Sequence, residues 1–508
     1  MSIIPEKYAG PALAVVATAI ALVIVRKKWG SRNLPYPPGP KGHPIIGNLF
    51  DFPENPICEG FARIAKEYDT DILHLDVMGS HLVVLSNSDV ATDILERRSV
   101  IYADRPRMPM VNELMGCSWS FSLMPYGNTW RIHRKLFHRF FNVSVADQFD
   151  DKIHKAVNVF LHRLSESPER FLKHAHFLTG SLTLSVAYGL NVESESDKFY
   201  SASEDAMSAV DIALVSGAFL VGALPILKYV PEWFPGAGFK RFARIAKDNL
   251  DHSANLPFQH VKESLQAGAM TASSFAATCL EELPELSKGG VDEEAIRGTA
   301  SAIKSFFLAA TLHPEVVRLA QQELDQVFGG VRLPDLSDKP QLPYISAVVK
   351  EVLRWRPPTP FASGSVHRLT EDDTYKGLFI PAGATIMDNT WATFRNESAY
   401  PDAHAFKPDR FLKDGQIDPE VKDPERLLFG WGRRICPGRH FVLRLLFLTV
   451  ARTLATFDIS KCLDGDGNPI VPDGKTLLEL FRNPSQPLPF KSDIKLRSTH
   501  ALSLIEGY

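Results

Sequence analysis

The sequence predicts a mainly helical body with a smaller β region, built from distant parts of one large domain. Three observations point there. Apolar residues recur at helical spacing over Val90–Arg98, Thr129–Phe141, Glu315–Phe328 and Ile345–Arg354. Short alternating runs at Ile72–Val77 and His81–Ser86 flank Met78-Gly79-Ser80, and further strands are expected at Gly377–Phe379 and Thr385–Asn389. No Gly/Ser-rich or acidic break and no internal repeat divides the 508 residues after position 45.

Composition narrows the class. Hydrophobic residues at 45% and charged residues at 23% are those of an ordinary folded protein. A net charge of -3 gives no support for nucleic-acid binding. The five cysteines (58, 117, 279, 436 and 462) are scattered, form no disulfide or zinc pattern, and suit a reducing compartment.

At the N-terminus, Ala9 to Val25 is an uncharged, mostly apolar run followed by Arg26, Lys27, Lys28 and Arg32. As a helix it would span roughly 26 Å, near the thickness of a thin endoplasmic-reticulum bilayer. The basic flank predicts that the remainder is cytosolic. A cleaved signal peptide, cut after Ala17-Thr18-Ala19, is the competing reading. We therefore expect a membrane anchor in residues 1–30 and a single-pass protein of the endoplasmic reticulum. Leu34-Pro35-Tyr36-Pro37-Pro38-Gly39-Pro40 then predicts a stiff, extended linker over 31–45, with the functional domain over 46–508.

The most informative stretch is Phe429-Gly430-Trp431-Gly432-Arg433-Arg434-Ile435-Cys436-Pro437-Gly438, followed by a helix-like apolar run from Phe441 to Phe457. Pro437 suits a first helical position. The N–H groups and dipole of the helix start would then favour a thiolate at Cys436. On residue types alone this is either an inert buried thiol or a thiolate able to ligate haem iron.

Phe429, Gly432, Arg434, Cys436 and Gly438 fill every fixed position of F-x-x-G-x-R-x-C-x-G. That spacing resembles the haem-binding signature of the cytochrome P450 family. The resemblance implies the cytochrome P450 fold over residues 34–490, haem b (iron-protoporphyrin IX) as cofactor and Cys436 as its axial ligand. Two further matches carry roles over. Trp130 and Arg134, four apart and on one helix face, resemble the family's W-x-x-x-R pair that holds a haem propionate. His367 and Arg434 resemble further propionate contacts. Glu351 and Arg354 resemble the E-x-x-R pair; with Arg410, in Phe406-Lys407-Pro408-Asp409-Arg410-Phe411, they imply a buried triad under the haem loop, structural rather than catalytic.

One family feature is missing. The distal helix should carry A/G-G-x-D/E-T, an acid–alcohol pair that delivers protons to bound O2. Here the stretch reads Arg297-Gly298-Thr299-Ala300-Ser301-Ala302-Ile303, about a dozen residues short of the pattern. Either Thr299 is a degenerate substitute for the alcohol, or the block has been lost, which would rotate the downstream face by about 120° and shorten the helix by roughly 18 Å.

The resemblance implies a monooxygenase that inserts one atom of O2 into a substrate, akin to fungal microsomal members of secondary metabolism or xenobiotic oxidation. Apolar stretches at Arg105–Pro125 and Met207–Phe239 point to a lipophilic substrate (a terpenoid, polyketide or polycyclic aromatic), the second also resting on the membrane surface. No flavin or dinucleotide domain is visible, so a separate NADPH–cytochrome P450 reductase must dock, steered by Arg131, Lys135, Arg139, Arg433 and Arg439. A monomer is expected. The alternatives are a haem-binding but catalytically impaired splice or gene-model variant, and a haem-thiolate isomerase or dehydratase that does not activate O2.

Overall fold

In the computed structural model, residues 34–54, 56–214, 219–222, 224–269, 274–282, 293–361, 366–473, 476–477 and 486–507 are described. The expected anchor, residues 1–30, lies outside them. Among the described residues no helix is long and apolar enough to cross a membrane.

The β region is assembled first by a tight hairpin. Strands β1 (Ile72–Val77) and β2 (Ser80–Leu85) pair antiparallel, with Val77 opposite Ser80. Met78 and Gly79 both have positive φ, 52° and 83°, which matches the twist a two-residue hairpin loop requires. The Asp76 carboxylate accepts from the Gly79 N–H at 2.8 Å. Much later in the chain come β3 (Val366–Arg368), β4 (Asp373–Tyr375), β5 (Leu378–Ile380) and β6 (Thr385–Asp388). The main sheet has the order β1-β2-β6-β3, with β6 parallel to β2 and antiparallel to β3.

From Pro35 onward the linker does not stand away from this sheet. The Phe379 N–H donates to the Pro35 carbonyl at 2.7 Å and the His74 N–H to the Pro38 carbonyl at 2.9 Å. The Tyr36 ring stacks on His74 and His81 with centroids at 4.9 and 5.3 Å.

The helical body contains α1 (Asn128–Phe141), α2 (Asp150–Glu166), α3 (Phe171–Tyr188), α4 (Lys198–Leu214), α5 (Gly238–Gln266), α6 (Glu293–Leu312), α7 (Pro314–Phe328), α8 (Pro343–Trp355) and α9 (Arg439–Thr456). The apolar faces of α1–α3 and α6–α9 meet in one large core through Phe160, Phe306, Phe307, Val348, Leu445 and Leu448, with Cys436 part of the same cluster, while α4 and α5 pack in smaller clusters beside it. The expected helix over Val90–Arg98 is not uniform. An α turn at Ser88–Ala91 widens into a π-helix over Thr92–Arg97, as the Thr92 hydroxyl back-bonds to the Ser88 carbonyl at 2.7 Å. Such insertions cluster near functional sites.

Candidate active site

The Phe429–Gly438 segment is a closed loop leading into α9. The Cys436 N–H donates to the Phe429 carbonyl at 2.8 Å, and the cysteine is buried. Gly430 and Gly432 take left-handed conformations, φ 78° and 52°. A Cβ on Gly432 would lie 2.6 Å from the Leu95 carbonyl oxygen and 2.7 Å from Ser99 Cβ, so the π-helical segment and the loop approach as closely as backbone permits. At Gly438 a Cβ would stand 4.0 Å from Cys436 Sγ. Contrary to the expectation from sequence, Pro437 is not the first helical residue: α9 starts at Arg439 with Gly438 as its N-cap. The fixed φ of Pro437 serves instead the turn that carries the chain from the sulfur to the helix.

Next to this loop lies a cationic corner. Arg434 is buried and donates from Nε to the Ala103 carbonyl at 2.7 Å and from Nη2 to the Met124 carbonyl at 2.8 Å. Its guanidinium lies over the Trp130 ring at 4.4 Å. Its Nη1 has no hydrogen-bond partner, nor has Nε1 of buried Trp130. Burial pushes the Arg434 pKa down to about 8. Arg134, half-buried on the same helix as Trp130, donates from Nη1 to the carbonyl of Ile435 at 2.5 Å. His367 lies on β3 and is buried, rather than in a loop; its Nδ1 faces the Tyr102 carbonyl at 2.8 Å and so carries the proton. Burial first, then Arg105, pushes its pKa down to about 3.

Arg105 was missed from the sequence. It is buried and bridges two distant stretches, donating from Nε to Ser122 and from Nη1 to Val366 carbonyls, each at 2.9 Å. An arginine followed by Pro106 within a largely apolar stretch was its only trace in the sequence. Arg105, His367 and Arg434 act on one another electrostatically. A buried guanidinium nitrogen and a buried indole N–H without acceptors are costly unless an acceptor arrives. A carboxylate such as a haem propionate supplies charge and lone pairs together, so this corner fits the cofactor.

The structure brings Glu351, Arg354 and Arg410 together. Arg354 grips Glu351 through Nε and Nη2 at 2.7 and 2.8 Å, with both side chains fully buried. Arg410 Nε reaches Glu351 Oε1 at 3.2 Å, and the Lys407 N–H donates to the same oxygen at 2.7 Å. The remaining Arg354 donors reach the Phe394, Ala403 and Ala405 carbonyls at 2.9, 2.7 and 3.0 Å. α8 is itself fixed at its start, where the Glu323 carboxylate accepts from the Tyr344 and Ile345 N–H groups at 2.7 and 2.9 Å.

On α6, Thr299 is buried, as are Ala300 to Ile303 and Ser305 to Thr311. The Arg297 side chain lies outside the described residues. The two apolar stretches expected to meet substrate pack into one cluster, in which Met110, Val111 and Met115 touch the elements of Ala206, Ala209 and Val210. Phe121 leaves that region to stack on Trp130 at 5.5 Å, joining it to the cationic corner. Arg131, Lys135, Arg139 and Arg433 are exposed, with Arg433 Nη1 on the Tyr126 hydroxyl at 2.6 Å. Arg439 is half-buried against His440 at 3.1 Å.

Comparison with known proteins agrees with this geometry. The family model described as Cytochrome P450 matches residues 37–486. A cytochrome P450 monooxygenase of Coprinopsis cinerea, COX2, is 43% identical over 474 residues, covering 90% of this chain and 89% of its own. A cytochrome P450 monooxygenase of Armillaria gallica is 39% identical over 511 residues, covering 97% of this chain and 98% of its own. A tryptamine 4-monooxygenase of Psilocybe cyanescens is 35% identical over 487 residues, covering 93% and 95%. With similarity running nearly from end to end, the chain belongs to the cytochrome P450 family, as an oxygenase whose cofactor is haem b bound through a cysteine thiolate.

Proposed function

We propose that this chain inserts one oxygen atom of O2 into a lipophilic substrate, with Cys436 as the axial ligand of its haem. The observation that carries this is the buried corner of unpaired donors, Arg434 Nη1 and Trp130 Nε1, on the chain segments that also hold the Cys436 loop. When bound, the haem supplies the activation of O2. Trp130, Arg134 and Arg434, joined by Arg105, would hold its propionates; His367, whose one proton already faces the Tyr102 carbonyl, joins them when a propionate charge lets its Nε2 take up a second proton. Phe429, Gly432 and Gly438 shape the loop so that the sulfur faces the iron, and Glu351, Arg354 and Arg410 brace the chain beneath. Thr299, buried on α6, is the alcohol this reading assigns to the distal side.

The second atom of O2 leaves as water, which takes two electrons and two protons. An NADPH–cytochrome P450 reductase is the electron donor, docking on the exposed Arg131, Lys135, Arg139 and Arg433, an attraction that salt weakens. The joined apolar walls support an uncharged or weakly polar substrate of terpenoid, polyketide or polycyclic aromatic type. One relative is named for tryptamine, an aromatic amine, so a ring system is common ground. The anchor, the endoplasmic-reticulum location and the monomeric state belong to this same reading.

The test is expression of the full chain with a reductase, followed by the ferrous–CO spectrum and a substrate screen. The expected result is the red-shifted Soret band of thiolate ligation, lost in Cys436→Ala. Persistence of that band in Cys436→Ala rejects the ligand assignment.

A second reading, a haem-binding but impaired variant, has its own support. The alignment with the Armillaria gallica protein runs to 511 positions, more than the 508 residues of this chain, so gaps fall on this chain's side. This is compatible with a block missing from α6 between Ala300 and Ser301. Genomic sequence encoding an A-G-x-D-T block at that point, absent from the transcript, would identify the longer form as the enzyme.

A further inference from the structure

Asp388 closes β6 in the middle of the main sheet, with Leu85 of β2 opposite it. It is buried, and its Oδ2 accepts from the indole Nε1 of Trp431 at 2.7 Å and from the Thr390 hydroxyl at 3.3 Å. Its Oδ1 has no partner. Trp431 stands between Gly430 and Gly432 in the cysteine loop, and its ring is buried in the apolar cluster of the β region with Leu95, Tyr102 and Ile386. Its carbonyl accepts from the Arg434 N–H at 3.0 Å. One side chain therefore plugs the loop into the sheet, and one carboxyl group, 43 residues earlier in the chain, holds the polar end of that plug.

We propose that Asp388 is a positioning residue for the haem ligand, fixing the Cys436 loop through the indole of Trp431. A buried hydrogen bond to a carboxyl group fixes direction as well as distance, and an apolar plug alone leaves the ring free to slide in its socket. Both glycines beside Trp431 have left-handed backbone and no side chain of their own, so Trp431 is the side chain that anchors this part of the loop to the sheet. The groups acting on Asp388 are the Trp431 indole and the Thr390 hydroxyl; no charged group among the described residues does so. Burial raises its pKa to about 7. The bond to Trp431 is accordingly charge-assisted above neutrality and weaker below it.

This inference rests on the reading of Cys436 as ligand, and the experiment separates the two. Asp388→Asn keeps the size of its side chain and removes only the charge, whereas Trp431→Phe removes the indole N–H together with part of a buried ring. In the full-length protein, hydrogen exchange of the 429–438 backbone is followed by mass spectrometry, with or without haem. In the loaded protein, the decay of the thiolate-type CO band to the blue-shifted form is timed from below to above neutral pH. Each variant is expected to accelerate both processes about tenfold, the equivalent of roughly 1.4 kcal/mol. The double variant should be no faster than Trp431→Phe alone, because the bond that Asp388→Asn weakens is already gone. The ratio of Asp388→Asn to parent decay rates should rise with pH through neutrality. Parent-like exchange and a pH-independent ratio in Asp388→Asn overturn the proposal. Absence of the thiolate-type band from the parent protein rejects the ligand reading instead, while the exchange data still decide whether Asp388 holds the loop.

Discussion

A neutral imidazole among arginines is the clearest case of a side chain whose state is set by its surroundings. His367 is enclosed, gives its Nδ1 proton to the Tyr102 carbonyl, and has Arg105 beside it, so protonation is opposed by burial and by charge. Its pKa falls from 6.5 to about 3 on folding. The unfolded chain therefore binds more protons between those values, and stability is lost as pH falls through that window. In the haem-free protein, His367→Leu should show a smaller loss of urea midpoint between neutral and mildly acidic pH than the parent. A parent-like loss would mean that the imidazole does not titrate as described. The histidine was legible in the sequence only by resemblance, because the carbonyl it pairs with is 265 residues away. Arg105 was legible only as a charge in a largely apolar stretch and not as a site residue, since its burial depends on Val366 at a separation of 261 residues. Cys436 was legible because its loop is written in consecutive glycines, arginines and a proline.

At the scale of elements, α8 shows how one helix can be locked at both ends by acids. Glu323 reaches across from α7 to occupy its first N–H groups, and Glu351 gathers two arginines and a backbone N–H near its last turn. Breaking a buried pair by removing one partner leaves an uncompensated charge and typically costs about 3–5 kcal/mol. Glu351→Ala should lower unfolding free energy by about that much in denaturant titrations, with loss of bound haem following from collapse of the loop that α8 supports. A change under about 1 kcal/mol would place the pair among the weak, surface-like bridges. The long helices and the hairpin could be read in advance because their periods are local. The π-helical widening at Thr92–Arg97 and the late start of α9 could not, because each answers a contact or turn that appears only once the chain has folded.

At the scale of the whole molecule, the surface is uneven. Leu220, Ile226, Tyr229 and Trp233 are each at least 70% exposed within one short stretch. Water gains nothing from such a cluster, whereas a bilayer interface welcomes aromatic and aliphatic side chains together. A protein lacking residues 1–30 is expected to co-sediment with phospholipid vesicles, and Ile226→Ser with Trp233→Ser should reduce the bound fraction severalfold. Equal sedimentation of the two proteins would remove this stretch from the membrane-contacting surface.

The docking of Pro35, Tyr36 and Pro38 on the sheet changes what a tether can do. A slack leash would let the globule tumble and meet the lipid plane with any side. Here the strap is sewn to the body from Pro35 onward, so the slack of a tether cannot extend past that residue. On the proposed membrane anchoring, the side from which hydrophobic molecules and electrons reach the body would thus be narrowed beforehand.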